Sequence, residues 1–151
     1  MIYKANILVV DDDTTVCKSI AKVLENEGYT VDMVFSGEEA LEKVSKNKYA
    51  VVLIDLKLPG LGGAEVLQGI KKKNPNITAI MITGYPSIKT AVESIKLSAF
   101  DYLPKPFTPD ELSGMVARAL ERRRTYEEIA QQIGINEEKL VEISKPNSSS
   151  S

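Results

Sequence analysis

The chain has 151 residues, room for one domain and a short appendage. Its formal charge of −2 exerts no overall pull towards nucleic acid or anionic lipid, and no apolar run approaches the length of a membrane span. One cysteine, Cys17, rules out an internal disulfide, and the lack of histidine rules out His–Cys zinc sites, Ser–His and Cys–His nucleophile pairs and any phosphohistidine on this chain.

The opening MIYKANILVV lacks the layout of a secretory signal, and a cytoplasmic location is expected. Residues 6–10, NILVV, read as a buried strand. Val16, Ile20, Val23 and Leu24 follow at helical spacing, with Gly28 ending that helix; Cys17 reads as a small helical residue rather than a redox centre. YTVDMVF is a second strand. Ser36 and Glu39 form a capping box for a helix through Ala40, Leu41 and Val44. YAVVLID, 49–55, is a third strand. Pro59, Gly60, Gly62 and Gly63 make a loop before a helix carrying Val66, Leu67 and Ile70. ITAIMIT, 77–83, is the fourth strand; Ile88, Ala91, Val92 and Ile95 mark a fourth helix, and AFDYLP a short fifth strand. Thr108-Pro109-Asp110-Glu111 is a helix start with cap, proline and acidic first turn, and the fifth helix carries Leu112, Val116 and Leu120. Five strand–helix units in succession, with strands apolar throughout, imply an α/β fold with a parallel sheet covered on both faces.

Ligands of such doubly wound sheets bind beyond the C-terminal strand ends, where the strand order reverses. Asp11 and Asp12 leave the first strand, Asp55 the third and Thr83 the fourth, and Lys105 follows the fifth. Adjacent carboxylates repel, so the run Asp11-Asp12-Asp13 needs a cation. If the first and third strands are neighbours, their carboxylates converge on a site suited to a hard divalent ion with oxygen ligands, Mg²⁺. Asp13 fits better as the cap of the first helix.

VVDD (9–12), LIDLKLPG (53–60), ITGY (82–85) and YLPKPF (102–107) together resemble the receiver domain of two-component response regulators, over residues 5 to about 122. The resemblance implies a flavodoxin-like sheet of order 2-1-3-4-5. It makes Asp55 the phosphoacceptor and assigns Mg²⁺ to Asp11, Asp12, Asp55 and the backbone carbonyl of Lys57. Thr83 and Lys105 would contact the phosphoryl group, and Tyr102 would be the aromatic switch partner of Thr83. The Lys105–Pro106 bond falls where the family has a cis peptide. The donor would be a partner histidine kinase or histidine phosphotransfer protein, and the only catalysis the chain's own phosphorylation and dephosphorylation. Gly62 departs from the family pattern, which often has aspartate there. Lys57 and Tyr85 hold variable positions beside the phosphoryl group, where a bulky ring is expected to slow hydrolysis.

Two rivals stand beside this reading. VVDDDTT also fits the nucleophile motif of haloacid-dehalogenase-type phosphatases, with Asp11 as nucleophile and Asp13 as acid/base. That family needs a strand ending in an acidic pair after the lysine, and none follows Lys105. In the tail, EIAQQIGINEEKL (128–140) resembles the start of a helix-turn-helix. Glutamates 137 and 138 would face phosphates badly, so DNA binding by this chain is not expected. We divide the chain into a receiver domain (1–124), a helical extension or linker (125–145) and a disordered tail (146–151). A homodimer through the face of the fourth helix, fifth strand and fifth helix is expected, with residues after 120 extending that last helix. The motifs are in the style of receivers attached to larger transcription regulators, which raises the expectation of a longer natural chain.

Overall fold

The computed structural model describes residues 5–136, 139 and 142. Ten elements alternate along it: β1 Asn6–Val10, α1 Thr14–Asn26, β2 Thr30–Val34, α2 Gly37–Lys46, β3 Val51–Asp55, α3 Gly63–Lys73, β4 Thr78–Thr83, α4 Ile88–Lys96, β5 Asp101–Pro104 and α5 Pro109–Ile133. All strands are parallel, in the order β2-β1-β3-β4-β5. The chain steps from β1 outward to β2 and then back past β1 to β3, so the reversal lies between β1 and β3, as the flavodoxin-like expectation required.

Successive strand residues point to opposite faces, yet in the three central strands β1, β3 and β4 most are apolar and buried, because helices cover both sides. Ile7, Val9, Leu53, Ile80 and Ile82 pack under α1 and α5 with Ile20, Leu24, Val116 and Ala119. Leu8, Val10, Val52, Ile54 and Met81 pack on the other face with Ala40, Val66, Leu67 and Ile70.

The helix starts are set by their caps. Asp13 caps α1, accepting from the amides of Thr15 and Val16. Ser36 accepts from Glu39 N–H at the head of α2, but the return bond runs from the Ser36 hydroxyl to the Glu39 carboxylate, in place of the backbone bond of a full capping box. Thr108 and Glu111 do form the full box on α5. α4 departs from the usual inward stripe. Ile88 is 86% exposed and Ile95 73%, and the residue this helix buries is Ser94.

α5 is unbroken across the expected boundary between residues 124 and 125, ending at Gly134 with φ +76°. Residues 128–133, read in one rival as a separate first helix, are its last turns. Leu120 and Ala130 are buried against the domain, whereas Ile129 and Ile133 stay exposed. The expected tail 146–151 and the pair Glu137–Glu138 lie outside the described residues.

α3 begins against the end of β3. A Cβ on Gly63 would lie 2.3 Å from the Asp55 carbonyl oxygen and 2.8 Å from Leu56 Cα, both backbone atoms. Gly62, one residue earlier, has open space. Gly63→Ala is therefore expected to destabilise by about 1–3 kcal/mol, as forced overpacking does, and Gly62→Ala by less than about 1 kcal/mol. Paired denaturant melts of the two variants check this; equal midpoints would contradict it.

Candidate phosphoacceptor site

At the reversal point, Asp11 follows β1 and Asp55 ends β3, with Asp12 at the rim. Oxygens of the three carboxylates lie within 4.8 Å of one another. Asp11 is fully buried and Asp55 nearly so, while Asp12 is exposed. Lys105, just beyond β5, reaches across with Nζ 2.8 Å from Asp11 Oδ2 and 3.2 Å from Asp55 Oδ2. At 4.8 Å two carboxylates repel by roughly 3 kcal/mol at an effective dielectric constant of 20, whereas an ammonium contact near 3 Å attracts by roughly 5. Two such contacts outweigh the repulsion between Asp11 and Asp55. Burial alone would lower the Lys105 pKa, but the bonds and charges of Asp11 and Asp55 prevail and raise it.

The backbone completes the setting. Lys57 N–H donates to Asp55 Oδ1 at 2.9 Å, Asp13 N–H donates to Asp11 Oδ1 at 2.9 Å, and Lys105 N–H donates to the Thr83 carbonyl at 2.7 Å. The Lys105–Pro106 peptide is cis. Beneath the cluster, the Cys17 thiol donates to the Asp11 carbonyl at 3.2 Å. Burial, then the Asp11 charge, pushes that thiol up to about 12, so it stays protonated. Asp13 is committed to the α1 cap and stands outside the three-carboxylate set, so the phosphatase reading loses its acid/base.

Oxygen-only donors, two of them buried and balanced by a single lysine, fit a hard divalent cation. The structure brings Asp11, Asp12, Asp55 and Lys105 together. Thr83 sits on the adjacent strand end, buried, with Oγ1 accepting from Tyr85 N–H at 3.0 Å. Tyr102 does not touch the cluster. It is half-buried, and its hydroxyl accepts from Ser87 N–H at 3.1 Å and lies 2.8 Å from Thr90 Oγ1. Ser87 and Thr90 form the capping box of α4. They are the residues that reading the sequence missed, although a serine just ahead of an apolar-periodic run is an N-cap signal.

The family model of the response regulator receiver domain matches residues 7–117. The chain belongs to this family. The receiver is 40% identical to the transcriptional regulatory protein ZraR of Klebsiella oxytoca over 124 residues, 82% of this chain and 28% of that protein. Among solved structures it is similar to a receiver domain protein of Methanospirillum hungatei, with TM-score 0.78 and 34% identity, covering 82% of this chain and 98% of that one. It is also similar to NtrX of Brucella abortus, with TM-score 0.81 and 35% identity, covering 85% of this chain and 30% of that one. The receiver thus spans a little over a quarter of ZraR. Switching by phosphorylation is the general function of this family, and the chain has the acidic cluster that goes with it. Among the described residues, no helix is long and apolar enough to cross a membrane.

A cleft of about 940 Å³ lies at the other end of the sheet, between the C-terminal ends of α2 and α3 and the last turns of α5. Its Lys46 is paired with Glu42 and its Arg123 with Glu127. Helix C-termini there favour these cations and disfavour an anionic ligand.

Proposed function

We propose that this receiver is a two-component signalling switch whose phosphoacceptor is Asp55, charged by a phosphohistidine on a partner histidine kinase or phosphotransfer protein. The observation that carries this is the Asp55 carboxylate held between Lys105 Nζ and Lys57 N–H inside the three-carboxylate cluster. An Asp55 oxygen attacks phosphorus as the nitrogen–phosphorus bond of the donor breaks, leaving an acyl phosphate on the chain and a free imidazole on the partner. Asp11, Asp12, Asp55 and the backbone carbonyl of Lys57 would hold Mg²⁺, which when bound supplies positive charge against the phosphoryl oxygens. Lys105 exchanges carboxylate contacts for a phosphoryl oxygen. The chain acts on no other substrate, works in the cytoplasm and forms its functional receiver from residues 1–124.

Thr83 is the sensor. Its hydroxyl leaves Tyr85 N–H for the phosphoryl group, and Tyr102 leaves Ser87 and Thr90 for the space vacated. The result is a population shift between two packings of α4 and β5.

The output surface is the face of α4, β5 and α5, where Ile88, Val92 and Ile95 are exposed on α4. Single exposed apolar residues mean little, but a row of them along one helix favours a partner. A second copy of this chain is the proposed occupant, with Ile129 and Ile133 on the extended α5 lengthening the contact. Duplex DNA is a poor fit to the extension, because Arg123 and Arg124 are paired with Glu127 and Glu128 at 3.3 and 3.5 Å. ZraR is named a transcriptional regulatory protein, and control of transcription is the proposed setting of this switch.

Incubated with acetyl phosphate, the chain is expected to take up one phosphoryl group, to require Mg²⁺, and to lose uptake in Asp55→Asn. Asp12→Ala should weaken metal binding more than Thr83→Ala does. Equal labelling of Asp55→Asn, or labelling in excess chelator, would overturn the assignment. By light scattering, beryllofluoride with Mg²⁺ should raise the mass towards twice that of the monomer; an unchanged monomer mass at high concentration would overturn the dimer.

A further inference from the structure

The Tyr102 hydroxyl is held at the head of α4 by groups that also cap the helix. Ser87 N–H donates both to Tyr102 Oη at 3.1 Å and to Thr90 Oγ1 at 3.0 Å. The Thr90 hydroxyl lies 2.8 Å from Tyr102 Oη and donates to the Ser87 carbonyl at 3.1 Å. With the Thr90 proton on that carbonyl, the Tyr102 hydroxyl is the donor to Thr90 Oγ1, and each of these protons has an acceptor. Thr90 N–H donates to Ser87 Oγ at 3.1 Å, which closes the capping box without Tyr102. The tyrosine is therefore an addition to a cap that is complete on its own. Two bonds fasten it, one from a backbone amide and one to a side chain, and its ring stays half-buried rather than in the core.

We propose that Thr90 is a positioning residue that latches Tyr102 in the resting arrangement, so that the cap of α4 sets how readily the receiver switches. This rests on the reading of Asp55 as the phosphoacceptor and of Thr83 and Tyr102 as the switch. For the ring to enter the space that Thr83 vacates, both latch bonds must break. The bonds between Ser87 and Thr90 persist, and α4 keeps its first turn. The latch thus opposes the switched arrangement without being part of the helix that responds to it. A hydrogen bond present in one of two arrangements biases their equilibrium by its whole net worth, about two- to ten-fold for a neutral pair. A ligand that favours the switched arrangement binds in proportion to the fraction already in it. Loosening the latch therefore makes the receiver more sensitive to its phosphoryl signal. The chemistry at Asp55 is untouched, because the bonds of the Thr90 hydroxyl go to Ser87 and Tyr102, outside the carboxylate cluster.

The test titrates the full chain with beryllofluoride in the presence of Mg²⁺ and reads half-saturation from the amides of residues 55–57. Tyr102→Phe removes both latch bonds and leaves the cap; Thr90→Val removes the hydroxyl that the two share. Each is expected to lower the half-saturating concentration by about two- to ten-fold, and the double variant by no more than Tyr102→Phe alone, because both remove the same contact. Ser87→Ala removes the cap hydroxyl but keeps the Ser87 N–H and the Thr90 hydroxyl, so it should lower the melting temperature without moving half-saturation. Thr90→Ser keeps the hydroxyl and should behave as the unaltered chain. An unchanged or higher half-saturating concentration in Thr90→Val, effects that multiply in the double variant, or an equal effect in Ser87→Ala would overturn the latch. The resting contact is read separately from the Ser87 amide without beryllofluoride, which is expected to shift in Tyr102→Phe. An unmoved Ser87 amide would overturn the latch on its own. A shifted Ser87 amide in a chain that binds no beryllofluoride would locate the failure in the Asp55 reading, and the role of the latch in switching would fall with it.

Discussion

Lys105 holds two buried carboxylates, Asp11 and Asp55, that arrive from different strands and would otherwise repel each other. The rest of the site is arranged around that constraint. Parallel pairing of β3 and β4 with β1 and β5 brings the three groups to one edge, and the buried, two-sided sheet makes the edge stiff. A lysine that bridges two carboxylates can give up one contact when a phosphoryl group supplies a better one, at modest net cost. The same pocket can therefore be stable uncharged and receptive to charge.

A short relay of hydrogen bonds leads away from this centre. Thr83 Oγ1 is engaged by the Tyr85 amide, and the Tyr102 hydroxyl by the Ser87 amide and Thr90, which together cap α4. In the proposed switch, moving Thr83 and Tyr102 strips partners from the loop that joins β4 to α4. α4 is also poorly anchored in the core, with Ser94 its buried residue and its isoleucines turned outward. A helix with so little apolar burial is one that a few hydrogen bonds can shift. Tyr85 joins this relay to the loop after β3, through its amide on Thr83 and its ring beside Lys57.

Much of this was legible in the chain. The strands read as unbroken apolar runs because both sheet faces are covered, and Asp13 read as a cap because its neighbours begin a helical stripe. The convergence of Asp11, Asp12 and Asp55 was legible only on the condition that β1 and β3 are neighbours, an order the resemblance to receivers implied and the sheet has. The outward turn of α4 was not legible, because the spacing of Ile88, Val92 and Ile95 defines a helical face without saying what covers it. The burial of Ala130 was hidden for the complementary reason: it depends on how far α5 runs back along the domain. The Tyr102 hydroxyl network depends on the path of the loop between β4 and α4, which no local pattern encodes, although the Ser87–Thr90 cap was available to be read.

The central claim is that charge at Asp55 is transmitted through Thr83 and Tyr102 to α4. Amide spectra of the full chain, recorded with Mg²⁺ before and after addition of beryllofluoride, test it most directly. The Tyr85 and Ser87 amides should both shift, because one loses Thr83 Oγ1 and the other the Tyr102 hydroxyl, and neither should shift in Asp55→Asn. Changes confined to residues 11–13 and 55–57, with Tyr85 and Ser87 unmoved, would contradict the account.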